Sequence, residues 1–291
     1  MIQNNFRNIS LVYIRIFLFA KKNIMVNKLL FLLFVVFLAT SLGVSVDANP
    51  AAAVSSPYYY TFDTDGTLQE AGNMEESTSP YWWLNSGAKL IISDDTGKTI
   101  QNELPTNDRW RLLYFANNPL DTDNGYHPQN IFRLLSRSKW LNSQEIAYFK
   151  IVKDQLSASP NRAAHNGLLL MNRYQNGNNL YYAGIRVDGN AIIKKKLNGK
   201  YYTLASSKIF PGTYNRISNP NLLPKNKWIG LKTEVTNVNG KVNIKLYVDE
   251  GRTGNWVLVL DKTDSGGRFG TPITSAGYGG IRTDFMDVEF E

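Results

Sequence analysis

Lys241-Val242-Asn243-Ile244-Lys245-Leu246-Tyr247-Val248-Asp249 is the stretch that decides the fold. Val242, Ile244, Leu246 and Val248 recur at every second position, with Lys241, Asn243, Lys245 and Tyr247 between them. Successive side chains of a strand point to opposite faces, so this spacing predicts a strand with one face in a core and the other in water. Residues 228–236 repeat the pattern: Ile229, Leu231, Thr233 and Val235 point inward, Lys232 and Glu234 outward. Between the two runs lies Asn239-Gly240, a pair that tolerates the positive φ angles of a tight hairpin.

The same grammar extends outward. Clusters such as Asp94-Asp95-Thr96-Gly97, Gln175-Asn176-Gly177-Asn178-Asn179 and Val187-Asp188-Gly189-Asn190 punctuate short runs rich in Tyr, Ile, Val and Phe. Strands are expected over 88–93, 109–115, 131–136, 144–152, 167–174, 180–187, 191–197, 201–205, 256–261 and 285–290. About a dozen short strands with no helix between them predict an all-β protein, two antiparallel sheets packed as a jelly-roll sandwich. Trp110, Trp228 and Trp256 fall in these alternating runs and are expected to fill the sandwich.

The N-terminus follows other rules. Two apolar runs, Ile9 to Ala20 and Leu29 to Val44, are flanked by Arg7, Arg15, Lys21, Lys22 and Lys28. The second reads as a signal peptide, with small residues at Val46-Asp47-Ala48 placed for cleavage and Met25 as an alternative start. A retained membrane anchor is the rival reading. The expected organisation is a targeting segment over 1–48, a short linker over 49–56 rich in small residues and proline, and one domain over 57–291. The protein is thus expected to be secreted or cell-surface attached, and to meet a membrane only through an uncleaved signal.

Without residues 1–48, 27 basic side chains face 23 acidic ones, so much of the +8 net charge belongs to the leader. So small an excess, with no clustered basic helix or arm, disfavours nucleic acid as a partner. The chain has no cysteine, which excludes disulfides, Cys-ligated metals and a Cys nucleophile.

Asn172-Arg173-Tyr174, then Asn179-Leu180-Tyr181-Tyr182-Ala183-Gly184-Ile185-Arg186-Val187-Asp188-Gly189, Lys194-Lys195-Lys196 and Gly199-Lys200-Tyr201-Tyr202-Thr203-Leu204-Ala205 form a series of hairpins. With Trp228-Ile229-Gly230-Leu231-Lys232, Leu246-Tyr247-Val248-Asp249 and a closing Gly279 to Val288, this series resembles the concanavalin A-like lectin/glucanase superfamily, laminin-G-like members included. The resemblance covers most of residues 57–291. It implies a sandwich whose last segment pairs with the strand near the mature N-terminus, and a superfamily that includes hydrolases, lyases, lectins and adhesion modules.

Strand parity nominates a binding face. Tyr182, Gly184 and Arg186 share one side of their strand, Arg133 and Arg137 one side of theirs, and Tyr148 and Lys150 one side of another. Arg173 and Lys194 or Lys196 lie on neighbouring hairpins. Should these faces coincide, Arg133, Arg137, Tyr148, Arg173, Tyr182, Arg186 and Lys194 line a groove of cations and phenols. Guanidinium binds carboxylate bidentately and Tyr rings pack on sugar faces, so the expected partner is an anionic polysaccharide or glycoconjugate. The alternative is a solvated sheet face. Function then reads as glycan binding or surface interaction, with a polysaccharide lyase acting by β-elimination on a uronate polymer as the competitor. In that case Tyr182 and His165 are the candidate acid and base. Hydrolysis is disfavoured, because neither Asp287-Val288-Glu289 nor Glu145 completes the paired-carboxylate pattern of this fold's glycoside hydrolases. No cofactor is required; the resemblance implies that Asp63 and Asp287 could hold a structural calcium ion, and Asx-turns are the alternative account of these residues.

Overall fold

The alternation of residues 241–249 is realised in full: Val242, Ile244, Leu246 and Val248 are buried while Lys241 is exposed. The computed structural model describes residues 58–291. The leader and linker expected at 1–56 lie outside the described residues. Contacts divide the chain into Met1–Ala48 and Asn49–Glu291, and only the second unit is considered below.

Two antiparallel sheets account for all fifteen strands of the described residues. The first holds eight, in the order β1 (Gly66–Gln69), β3 (Lys89–Ser93), β4 (Thr96–Lys98), β15 (Met286–Phe290), β6 (Ser143–Asp154), β11 (Trp228–Val238), β12 (Lys241–Glu250) and β13 (Val257–Asp264). The second holds seven, in the order β10 (Lys200–Lys208), β9 (Asn190–Leu197), β8 (Asn179–Arg186), β7 (Gly167–Asn176), β14 (Gly277–Asp284), β5 (Ile131–Trp140) and β2 (Trp82–Ser86). Asn239 and Gly240 both have positive φ, 50° and 75°, and join β11 to β12 as the tight hairpin the sequence signalled. The closing segment does not pair with the strand nearest the mature N-terminus, as the resemblance implied: β15 pairs with β4 and β6 and β14 with β5 and β7, while β1 sits at the sheet edge against β3.

The core lies between the sheets. Leu168, Leu170, Ala183 and Ile185 face Phe149, Ile151, Ile229, Leu231, Ile244 and Leu246, all fully buried. This is the expected all-β sandwich, with two departures. Residues 109–115, expected as a strand, belong instead to α1, the nine-residue helix Arg109–Asn117. Asp108 caps it, its Oδ1 accepting from the Trp110 backbone N–H at 2.8 Å, and Trp110 packs on Ala88, Ile100 and Leu104. The polar–apolar alternation of Arg109-Trp110-Arg111-Leu112 mimicked a strand, while an Asp one residue before it carried the helix signal.

The second departure is a charged one. Lys195 and Asp264 form a 2.7 Å ion pair with no exposed side-chain surface. Strand parity sends Lys195 inward, between Lys194 and Lys196 on the opposite face, and Asp264 at the end of β13 meets it there.

Candidate functional site

Strand β8 sets the geometry. Tyr181, Ala183 and Ile185 are buried in the sandwich, so Tyr182, Gly184 and Arg186 project from the other face of the seven-stranded sheet. Tyr182 joins Leu135, Leu169, Met171, Tyr174, Leu180 and Ile192 in a separate apolar cluster there. This cluster floors a ring of cations.

Arg282 of β14 lies directly opposite Arg133 of β5, and Lys194 of β9 directly opposite Tyr182. Arg282 donates through Nε to Asp284 at 2.7 Å and through Nη1 to the Tyr182 hydroxyl at 3.3 Å. Tyr182 stacks on Tyr201 of β10 with ring centres 6.3 Å apart, and the Lys196 and Lys194 ammonium groups stand 4.9 and 5.6 Å from the Tyr201 ring centre. Arg133 lies 5.9 Å from the ring of Tyr174, and its buried Nε has no hydrogen-bond partner. Arg186 donates to Asp188 and to the Ala164 carbonyl, which brings the 157–166 loop, and His165 with it, to the rim.

The electrostatics follow from this crowding. Burial and the charge of Arg186 push the Lys194 ammonium below its ordinary pKa. Burial, then Lys194, likewise lowers His165, against the opposing pull of Asp284. Burial pushes Tyr182 up to about 12, so it stays a protonated phenol. Burial also works to raise Tyr201, but the charges of Arg282 and Lys196 overcome it and leave that phenol below its ordinary value. Neighbouring phenols thus differ in acidity, and the more acidic one is half exposed.

Of the residues nominated from sequence, Arg133, Tyr182, Arg186, Lys194 and His165 come together on this face. Three do not. Arg173 has φ 50° at an irregularity in β7 that reverses its parity; it is buried and donates to the Ile273 carbonyl at 2.9 Å. Tyr148 sits on β6 of the other sheet, its hydroxyl donating to Asp249 at 3.0 Å. Arg137 bonds the Ser79 carbonyl at 2.7 Å, and its backbone pins Tyr81, so it anchors the loop before β2 instead of facing the ring of cations. Reasoning from sequence missed Arg282, Tyr201 and Asp284. The signal was available in β14, where Arg282 alternates with the buried Ile281 and Thr283.

The calcium pair fares differently. Asp287 is buried, and its two oxygens accept from Gln129 Nε2 at 2.9 Å, Gln155 Nε2 and the Asn102 backbone N–H at 2.8 Å. A cation there would have to displace three N–H donors. Asp63 is exposed and among the described residues accepts only from the adjacent Thr64. The Asp121 and Asp123 loop bonds Ser159, Asn161, Ser157 and His127, so it serves as a clasp on the 157–166 loop.

No known family profile matches the chain, and no curated protein does. Among solved structures the chain is similar to a carbohydrate-binding module, CBM66 from Bacillus subtilis, at 16% identity and TM-score 0.44 over 72% of this chain and 91% of that one. It is also similar to a β-glucanase of Bacillus licheniformis, at 10% identity and TM-score 0.37 over 78% and 95% of the two chains. The basic winged bean lectin gives 10% identity and TM-score 0.36 over 78% and 97%. These are the lectin and glucanase kinds that the sequence resemblance named, at a likeness too slight to carry an argument.

Proposed function

We propose that this is an exported glycan-binding protein that takes an acidic polysaccharide on the outer face of its seven-stranded sheet. One observation carries the reading. Arg133 and Lys194 are partly buried cations that form no salt bridge among the described residues, and they flank Arg282 and Tyr182. A cation withdrawn from water without an anionic partner is costly. A ligand carboxylate between them offsets that cost, while the half-exposed ring of Tyr201, backed by the buried Tyr182, offers the flat apolar surface that sugar faces need.

The test is binding to polygalacturonate and to a neutral glucan. Polygalacturonate should bind more tightly, and its affinity should fall as salt rises from ~0.1 to ~1 M and the screening length shrinks from ~10 to ~3 Å. Arg133→Ala should weaken polygalacturonate binding by roughly tenfold or more, the loss of one charge-assisted hydrogen bond. Salt-independent binding that ignores Arg133→Ala would overturn the proposal.

A second reading, β-elimination, draws on the acidity difference between the two phenols. Ionised Tyr201 would remove the proton on the carbon bearing the uronate carboxyl, and the cations would stabilise the charge that develops on that carboxyl. The glycosidic C–O bond then breaks, a C=C bond forms in the ring, and the protonated Tyr182 hydroxyl donates to the departing oxygen. In this reading Tyr201, which stacks on Tyr182, takes the part of base that the sequence assigned to His165. Unsaturated uronate ends, read by ultraviolet absorbance and lost in Tyr201→Phe while binding persists, would establish it. Their absence with wild-type protein on several polyuronates leaves binding alone.

A further inference from the structure

The outer face of the other sheet carries a second aromatic surface. Trp228, Tyr148, Trp256 and Tyr247 lie there, all half-buried and all outside the hydrophobic clusters that make the core. The sequence suggested that Trp228 and Trp256 fill the sandwich; the structure turns both outward, because Trp228 shares the parity of Lys232 and Trp256 precedes β13 in a loop.

Gly230 of β11 explains how the rings lie. It pairs with Tyr148 on one side and Asp249 on the other. A Cβ on it would stand 2.6 Å from Tyr148 Cε1 and 2.7 Å from Trp256 Cη2, so only glycine lets the two rings settle onto the strand. Glycine weakens a strand interior and marks places where something approaches the sheet closely. Here the Tyr148 and Trp256 ring centres are 5.5 Å apart. The 251–256 loop that presents Trp256 is fixed by Asp249, which accepts from Thr253 Oγ1 at 2.7 Å, Gly254 N at 2.8 Å and the Tyr148 hydroxyl at 3.0 Å. The rings are therefore held before any ligand arrives, which lowers the ordering cost of binding.

Charge distinguishes this surface from the first. Lys150 pairs with Glu289, and Arg252 with Glu291. Lys232 lies 4.2 Å from the ring centre of Tyr247 and 5.1 Å from that of Trp256, while the Tyr247 hydroxyl bonds Glu234 at 3.1 Å. Lys150 and Arg252 are thus paired with carboxylates, whereas Lys232 forms no salt bridge among the described residues and its ammonium stands over the aromatic rings. Exposed Leu258, opposite Tyr247, and Ile146 extend the apolar area, and Glu234 with Gln144 gives it a hydrogen-bonding border. A surface of fixed rings and polar rim, with Lys150 and Arg252 already paired to carboxylates, complements an uncharged, hydroxyl-rich chain.

We infer that the outer face of the eight-stranded sheet is a second glycan site, for a neutral polysaccharide, built on Trp228, Tyr148 and Trp256. It rests on the glycan-binding reading, but on a different face and a different chemistry. Affinity electrophoresis through soluble β-glucan, xylan and galactomannan, with tryptophan fluorescence as a second readout, tests it. At least one of the three should retard the protein equally at ~0.1 and ~1 M salt, because no charge is screened. Trp256→Ala and Trp228→Ala should each weaken that binding about tenfold, the loss of one stacked ring. Polygalacturonate binding by the same variants should be unchanged, which also shows that they are folded. Arg133→Ala should do the reverse. Failure of Arg133→Ala to affect polygalacturonate would sink the first site and leave this one standing. Three outcomes would overturn the second site: no neutral polymer binds, both tryptophan variants bind like wild type, or the protein forms a dimer that Trp256→Ala dissociates, which would assign the rings to a second copy of the chain.

Discussion

Replacing Asp264 with asparagine should cost this domain ~3–5 kcal/mol, because it strands a charge where no water reaches. Lys195 donates to Asp264 Oδ2 at 2.7 Å and to the Gly270 and Thr271 carbonyls at 2.8 and 3.1 Å. Asp264 also accepts from the Tyr181 hydroxyl at 2.7 Å and the Gly266 backbone N–H at 3.1 Å, and that hydroxyl accepts from the Ile273 N–H at 3.0 Å. Every proton of the lysine and each oxygen of the aspartate is engaged, so the pair is self-sufficient and its rupture is not. With urea and a slope of ~2 kcal/mol per molar, the midpoint should fall by ~1.5–2.5 M. Pairing Asp264→Leu with Lys195→Met removes both charges and should recover a large part of the loss. A cost below ~1 kcal/mol at neutral pH, well outside the range for breaking a buried pair, would refute the reasoning.

Leu246→Ala should destabilise by ~2–5 kcal/mol because it empties a fully buried position of β12, whereas Lys245→Ala on the opposite side should cost under ~1 kcal/mol. Equal midpoint shifts in the same urea titration would contradict the strand parity. His165, held below its ordinary 6.5 by burial and by Lys194, is neutral at neutral pH and gains charge only under more acidic conditions. A bound polyanion favours the protonated form, so polygalacturonate affinity should rise as pH falls below 6.5, and His165→Ala should flatten that profile. An unchanged profile in the variant would remove His165 from the site.

The sandwich was legible because period-two alternation is a local signal, and Val242 to Val248 and Ile229 to Val235 carry it without interruption. Half of the site was legible on the same basis: parity within β8 is enough to put Tyr182 and Arg186 together, and parity within β9 puts Lys194 beside them. What parity cannot supply is the identity of neighbouring strands. Tyr148 and Tyr182 look alike in sequence, yet β6 and β8 belong to different sheets, and the non-local pairing that separates them leaves no mark within either strand. Arg173 shows the other limit. Its left-handed backbone turns Arg173 inward beside Asn172 and sends Tyr174 out with Leu169 and Met171, and nothing in Asn172-Arg173-Tyr174 announces that shift of parity. Helix α1 was missed because alternation over four residues outweighed a capping aspartate.

The two faces differ in how they treat charge, and that difference bears on function more than any single residue. Arg133 and Arg282 lie directly opposite each other on adjacent strands, an arrangement that destabilises a sheet when the charges are alike. Asp284 relieves Arg282 but not Arg133, whose Nε has no partner. On the far side, Lys150 and Arg252 are each matched to a carboxylate on the closing strand or just after it. The chain buries a complete Lys195–Asp264 pair between the sheets and pairs Lys150 and Arg252, whereas Arg133 and Lys194 form no salt bridge among the described residues; Lys232 on the far face forms none either, and its ammonium stands over the rings of Tyr247 and Trp256. Two partly buried cations beside Arg282 suit an anionic ligand, so screening should weaken binding there, while a neutral polymer on the far face carries no charge to screen.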